Sequence, residues 1–254
     1  MNVLVACECS GIVRDAFRAN GHNAWSCDLK PSEDGSAYHI DTDIFLVISG
    51  QARGINTITG DRSPTTWELL IAHPPCTYLC NSGALHLYYK GKDGRRTRQK
   101  DTSRWSDMNE GALFFKRLLN CGIKRIALEN PVMHGHAIDV IGSECDQTIQ
   151  PYEFGDDASK RTCLWLRNLP LLKKLDRGLW FPPRFVNGKP RWSNQTDGGQ
   201  NKLTPGPNRQ ADRARTYKGI ARQMADQWGP RRTPYNDRLK RIISACHKEE
   251  TQAA

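Results

Sequence analysis

Apolar residues in this chain fall in short blocks cut off by small, polar or proline residues, the pattern of buried strands alternating with helices. Val3-Leu4-Val5-Ala6 reads as a first buried strand, followed by a tight turn at Cys7-Glu8-Cys9-Ser10-Gly11. Ile12 to Asn20 has helical spacing (Ile12, Val13, Ala16, Phe17) and stops at Gly21, a residue type that closes helices because it enters left-handed backbone freely. His22 to Cys27 supplies a second strand, ending at Asp28. Strand, small-residue turn, helix, strand and acid, in that order, is the nucleotide-binding half of a doubly wound sheet. The acid follows the turn by about twenty residues, the distance at which a ribose hydroxyl is held.

Further along, His39 to Asp43 holds either a short third strand or a loop, and Ile44 to Ile48 starts an apolar helix. Trp67 to Cys76 reads as a fourth strand with a reactive tip, and Thr77 to Arg104 as a long polar loop, which in a compact domain is usually functional. Ser106 to Glu110 looks like a capped helix start. That helix runs to Asn120, with Leu113, Phe114, Arg117, Leu118 and Cys121 on its buried face. A fifth strand ends at Glu129-Asn130-Pro131, and Ile149 to Phe154 and Thr162 to Leu166 supply the sixth and seventh. Residues 168–215 carry prolines at 170, 182, 183, 190, 205 and 207 and little periodicity, so they are expected to be irregular. Helical spacing returns from Tyr217 to Trp228, and the rest of the chain is polar and basic.

A chain of 254 residues can bury one α/β core. Its nine cysteines are odd in number and irregularly spaced, which points to free thiols and not to a secreted disulfide framework. No apolar run approaches the ~18 residues of a membrane span, and the start of the chain has no signal-peptide pattern, so a cytoplasmic protein without a membrane partner is expected. The formal charge of +10 favours a polyanionic partner. Seven cations, Lys90, Lys92, Arg95, Arg96, Arg98, Lys100 and Arg104, crowd one stretch soon after Cys76. Two strand ends, one offering Cys76 and the other Glu129, suggest a nucleophile and an acid facing one crevice, with flanking prolines fixing the backbone.

This ordered set resembles the DNA cytosine carbon-5 methyltransferase family, most closely its short phage-like members, over most of residues 1–229. Pro75-Cys76 is similar to that family's nucleophile motif and Asn81-Ser82-Gly83 to the loop after it. Glu129-Asn130-Pro131 is similar to its Glu-Asn-Val motif, Gly155 with Lys160-Arg161 to its basic motif, and Gly219-Ile220-Ala221 to its Gly-Asn-Ala turn. The resemblance implies an α/β fold, a doubly wound, mostly parallel seven-stranded sheet of the Rossmann-like methyltransferase kind with a small irregular C-terminal segment. It assigns 1–166 plus 216–229 to the catalytic core, 167–215 to a reduced target-recognition region and 230–254 to a basic tail. Its implied cofactor is S-adenosylmethionine, held by Glu8, Cys9, Ser10, Gly11, Asp28, Asp43, Pro74, Gly219, Ile220 and Ala221. Catalysis falls to Cys76, Glu129, Asn130 and either Lys160 or Arg161, and DNA contact to Ser82 and the seven cations of the basic stretch. A monomer is expected, with no metal. The chain departs from the family pattern in having one glycine in the first turn, Asp28 where glutamate is usual, and a target-recognition domain that is either missing or much reduced.

Other readings compete. Pro75-Cys76 with Cys80 suggests a zinc nucleobase deaminase, but the cysteine spacing is one residue too long and no His-x-Glu occurs. Zinc at His73, Cys76 and Cys80 lacks a paired four-ligand pattern. A catalytically silent DNA binder of the same fold, or an enzyme acting on RNA or single-stranded DNA, keeps the basic surface and changes the chemistry. Cys80 is read as non-essential, and Cys27, Cys121, Cys145 and Cys163 as packing residues.

Overall fold

The structure is a computed structural model that describes residues 1–203, 206, 212, 213 and 215–229. The basic tail at 230–254 and the prolines at 205 and 207 lie outside the described residues.

Seven strands form one sheet: β1 (Asn2–Ala6), β2 (Asn23–Asp28), β3 (His39–Asp41), β4 (Leu69–Ala72), β7 (Arg125–Pro131), β8 (Gln147–Ile149) and β9 (Thr162–Arg167). Their order is β3-β2-β1-β4-β7-β9-β8. The chain works outward from β1 to β3, then crosses back to lay β4 on the other side of β1. That reversal is the switch point of a doubly wound sheet, where a crevice opens beyond the carboxyl ends of the strands. The five strands from β3 to β7 are parallel, and β9 enters antiparallel to both β7 and β8. The α/β architecture with one seven-stranded, mostly parallel sheet is as expected.

Both faces of the sheet are covered, which is why its strands read as unbroken apolar runs and not as alternation. Leu4 and Ala6 of β1, with Trp25, Leu70, Ile126 and Trp165, face α2 (Ile44–Ile48), α3 (Thr102–Leu119) and α4 (Gly135–Ile141). Val3 and Val5, with Ala24, Leu69, Ile71 and Ala127, face α1 (Ile12–Ala19) and α5 (Lys218–Trp228). Each fully buried Val, Leu or Ile side chain among these contributes about 1.5–3 kcal/mol.

Several boundaries differ from the sequence reading, each for a physical reason. β4 ends at Ala72 and not Cys76, because Pro74 and Pro75 have no N–H for the ladder; the last bond is His73 N–H to the Ala6 carbonyl at 3.0 Å. The predicted loop 77–104 is mostly structured: a 3₁₀ helix (Asn81–Leu87) leads into an antiparallel hairpin of β5 (Tyr88–Lys90) and β6 (Arg96–Lys100). α3 begins at Thr102, capped by the Asp101 carboxylate, which accepts from the Arg104 N–H. Its buried face is Met108, Ala112, Phe115, Leu118 and Leu119, while Leu113 is 56% exposed and Arg117 lies over the Phe45 ring. The predicted strand 149–154 stops at Ile149, where Pro151 turns the chain into a 3₁₀ helix (Pro151–Phe154) closed by a Gln150–Glu153 capping box. The segment expected to be irregular holds a second hairpin, β10 (Arg184–Val186) with β11 (Lys189–Arg191). Among the described residues no helix is long and apolar enough to cross a membrane.

Candidate active site

β4 and β7 are neighbours in register, Ala72 opposite Leu128, so the residues just past them meet at the mouth of the crevice. Asn130, 1% exposed, donates its amide to the Pro74 carbonyl at 2.8 Å and so fixes the His73-Pro74-Pro75 tip to β7. Beyond it the chain makes one turn. The Leu79 and Cys80 N–H groups both donate to the Cys76 carbonyl, at 3.0 and 3.1 Å. The turn is pinned to the strand after β7 by Asn81 N–H to the Val132 carbonyl and His134 N–H to the Leu79 carbonyl, at 2.9 and 3.0 Å. Cys76 is thus held half-buried on a backbone with little freedom to move.

Glu129 is nearly buried and has two basic neighbours. Its Oε2 lies 2.9 Å from His73 Nδ1, and its Oε1 lies 4.0 Å from Lys160 Nζ. Burial pushes the carboxyl up, but Lys160 first and His73 second outweigh it, leaving Glu129 below its ordinary value. The antiparallel β9 explains why Lys160 arrives here. Thr162 pairs with Pro131 at the carboxyl end of β7, so the residues leading into β9 lie on the crevice side. Side chains alternate along an extended chain. Lys160 turns to Glu129, whereas Arg161 is exposed and acts on Cys163. His73 and Cys80 are the members of this group that the sequence reading left without a role. Two polar atoms here are buried without a partner, His73 Nε2 and Asn130 Oδ1.

The first turn sits across β1 at the same end of the sheet. Cys7 takes a left-handed backbone (φ 56°) that lets its N–H reach the Cys27 carbonyl at 2.7 Å. Glu8 then folds its carboxylate over the start of α1, accepting from Val13 N–H at 2.8 Å, Arg14 N–H at 3.3 Å and the Ser10 hydroxyl. The positive end of that helix, the usual phosphate seat of a nucleotide fold, is therefore filled by the chain's own carboxylate. Gly11 (φ 73°) has no room for a Cβ, which would meet the guanidinium of fully buried Arg14. Arg14 in turn binds Asp15, Asp34 and the Ser26 hydroxyl.

Cys9 donates its thiol to Glu33, which Arg215 also grips. Asp28 accepts from Lys30 N–H, and Asp43 caps α2 by accepting from Phe45 N–H. Burial and the charges of Asp28 and Asp43 push the Cys7 thiol up, so this end of the crevice is acidic.

Of the α5 residues, Gly219 donates its N–H to Asp156 and lies so close to the Phe154 carbonyl that a Cβ would come within 2.1 Å. Ile220 and Ala221 are buried in the core against α1. The segment before α5 does reach the site: the Thr216 hydroxyl is 3.5 Å from His73 Nδ1.

The basic stretch is carried on the β5–β6 hairpin. Lys90, Lys92, Arg95, Arg98 and Lys100 are exposed, and among the described residues Lys90, Lys92 and Arg98 form no salt bridge. Arg96 is spent inside the hairpin, on the Tyr88 carbonyl and His86. Lys100 lies over the Trp105 ring, Arg104 lies 5.8 Å from the Tyr78 ring, and the Ser82 hydroxyl is 3.1 Å from the Cys80 sulfur. Among the described residues no group of three or more His, Cys, Asp or Glu side chains is arranged to hold a metal ion.

No family model and no curated protein matches the sequence. Among solved structures, one that resembles the chain is a candidate DNA modification methyltransferase encoded within a prophage (E. coli), at 13% identity and a TM-score of 0.37, over 65% of this chain. The chain spans 46% of that protein's length. A likeness this distant carries neither function nor mechanism across, so both rest on the chain's own residues.

Proposed function

We propose that the protein methylates carbon 5 of cytosine in DNA, with S-adenosylmethionine as the donor. The observation that carries this is the meeting of Cys76, in the turn beyond β4, with Glu129 near the end of β7 and Lys160 just before β9, a nucleophile beside a buried carboxylate that a cation keeps charged. Cytosine carbon 5 is a poor nucleophile, so electrons must first be pushed into the ring. Cys76 adds to carbon 6 and makes carbon 5 enamine-like. Glu129 bonds the ring nitrogen at position 3 and the exocyclic amine, where charge develops, while Lys160 is in reach of the base carbonyl. Asn130 holds the Cys76 loop to the Glu129 strand. The target atom is inaccessible inside a duplex, so the base must be flipped out, and the exposed cations of the β5–β6 hairpin suit the phosphates of the strand around it.

The crevice suits the donor. Glu8 excludes a phosphate from the start of α1, and S-adenosylmethionine has none. The acidic end formed by Asp28 and Asp43 favours a cation. When bound, S-adenosylmethionine supplies an electrophilic methyl group.

The test is to incubate the protein with labelled S-adenosylmethionine and DNA, digest to nucleosides and identify the labelled base by mass. Labelled 5-methylcytosine, lost in Cys76→Ser, is the expected result. Label on adenine or on an exocyclic amine, or none from a protein that still binds DNA, would overturn the proposal.

A further inference from the structure

We propose that the segment between β9 and α5 carries a second nucleic-acid site: an aromatic pocket stacks one unpaired base of a single-stranded stretch of DNA, and nearby cations hold its phosphates. That the strand is DNA rests on the methyltransferase reading; the capture of an unpaired base by these rings does not.

Three pieces of chain build the pocket. Tyr152 comes from the 3₁₀ helix after β8, Arg177 from a single 3₁₀ turn (Arg177–Leu179), and Trp180, Phe181 and Trp192 from the two ends of the β10–β11 hairpin. They line a cavity of about 540 Å³. The Phe181 N–H donates to the Tyr152 carbonyl at 3.0 Å. The Trp192 ring lies flat on Tyr152, with centroids 4.1 Å apart and planes 10° apart, and Trp180 tilts against Tyr152 at 6.0 Å. Pro182 and Pro183 stiffen the lip.

These rings offer faces and not donors. The Trp180 indole N–H donates to the Leu175 carbonyl at 2.7 Å, and that of Trp192 to the Phe181 carbonyl at 3.2 Å. With both spent inside the protein, the indoles hold a base by stacking and do not read its edge, which makes the site tolerant of sequence. Beside the half-buried Trp180, Leu179 and Phe185 are 63% and 70% exposed, so apolar surface gathers here.

Charge selects the occupant. Residues 173–202 carry seven Lys and Arg against two acids, Asp176 and Asp197. The charged ends of Arg177 and Lys174 lie 5.8 and 5.9 Å from the centre of the Trp180 ring. Lys174 is held by Glu153 and Arg184 by Asp197, but among the described residues Arg177 and Lys189 form no salt bridge. A stacking ring with cations at its edge suits a single strand, in which every base has a π-face and every link a phosphate. A proline-rich peptide also fits aromatic grooves but gains nothing from the cations.

The pocket is tied to the reacting residues. The Ser193 N–H donates to the Asp157 carboxylate at 2.9 Å, and Asn194 and Ser159 exchange two hydrogen bonds of 3.0 Å each. Ser159 directly precedes Lys160, the neighbour of Glu129. A base in the pocket is therefore held on the framework that carries Lys160, and the site serves DNA whose strands have opened beside the target.

The test compares, by fluorescence anisotropy and without cofactor, a short oligothymidine with a strand of the same length built of abasic residues, so that charge is constant. The full-length parent should bind the thymidine strand about fivefold or more tightly, the worth of one base on one ring. In Trp180→Ala that ratio should fall to near one. Trp180→Phe, which keeps a ring but loses the bond to Leu175, should retain most of it. Arg177→Gln should weaken both strands alike and lower the slope of log affinity against log salt by about 0.7, one phosphate contact.

Equal affinity of the parent for the two strands, or a ratio that survives Trp180→Ala, would overturn the inference. So would its loss in both Trp180 variants, which would mean that the indole N–H merely holds the segment, or an unchanged salt slope in Arg177→Gln. A uridine strand bound more tightly than the thymidine one would overturn the assignment to DNA in favour of RNA. Tryptophan fluorescence quenched by a decaproline peptide and not by the strand would overturn it in favour of a peptide. In the methyl-transfer assay, Trp180→Ala should raise KM for DNA with unpaired thymines beside the target cytosine. If the parent transfers no methyl group, the cytosine reading falls, and the binding ratios alone judge the pocket.

Discussion

Replacing Lys160 with methionine removes the cation facing Glu129 while keeping most of the side-chain volume. At 4.0 Å, with the effective dielectric of about 20 that suits such sites, the attraction amounts to about 4 kcal/mol. Lys160 is about one-fifth exposed and solvent screens part of this, so a loss of about 2–3 kcal/mol at pH 7 is expected, below the ~3–5 kcal/mol for breaking a fully buried pair. The pH dependence has a definite sign. In the parent, Glu129 sits below the ~4.3 of an unfolded glutamate, so its contribution is full above that pH and is lost as pH falls through the folded value. In Lys160→Met burial is opposed only by His73, and the carboxyl moves up. Its charged form then costs stability at pH 7, and protonation relieves that cost on acidification. Urea unfolding at pH 7, 6, 5 and 4.5 should give a gap between the two proteins that is widest at pH 7 and narrows towards pH 4.5, with unchanged m-values. A gap below about 0.5 kcal/mol, or one constant with pH, would refute the claim that Lys160 keeps a buried Glu129 charged.

Other consequences can be checked separately. Glu8→Ala leaves the Val13 and Arg14 N–H groups without their acceptor at a buried helix start and should cost about 2–3 kcal/mol in denaturant unfolding. Gly219→Ala forces a Cβ against the Phe154 carbonyl and should destabilise by more than about 2 kcal/mol, seen as a lower thermal midpoint. Replacing Lys92 and Arg98 together by alanine should weaken DNA binding and lower the slope of log affinity against log salt by about 0.9 for each phosphate contact removed, whereas replacing Arg96 should disturb the hairpin instead.

Much of the scaffold is legible in the sequence because strands covered on both faces must be apolar throughout. β1, β2 and β7 therefore stand out, as does the polar tip that ends each one. The β5–β6 hairpin is not legible in this way. Its residues 96–100 are Arg-Thr-Arg-Gln-Lys, exposed nearly throughout, so no apolar alternation marks them and pairing alone defines the strands. The start of α3 is hidden for a similar reason: Asp101, Thr102 and Ser103 are all cap-like, and only the bond from Arg104 N–H to Asp101 selects one. Leu113 is misplaced because helical spacing defines a face, while packing against the sheet chooses the one a residue further round.

Within the site, Cys76 and Glu129 are visible in the sequence as a cysteine and a carboxylate following short apolar runs. The distinction between Lys160 and Arg161 depends on the antiparallel register of β9, which no local pattern encodes. The contact of His73 with Glu129 joins two strands far apart in the chain. In the sequence His73 is only the residue before two prolines, and the spacing of Cys76 and Cys80 is equally compatible with packing.

The central claim is a covalent bond between Cys76 and the target cytosine, and trapping tests it most directly. A DNA duplex carrying 5-fluorocytosine should stall the reaction after methyl transfer, because fluorine cannot leave carbon 5 as a proton does. Incubated with S-adenosylmethionine, the protein should form a denaturation-resistant adduct with this DNA, and peptide mapping should place the modified nucleotide on Cys76. Methylation of normal DNA without any such adduct, or an adduct mapped to Cys80, would contradict the assignment.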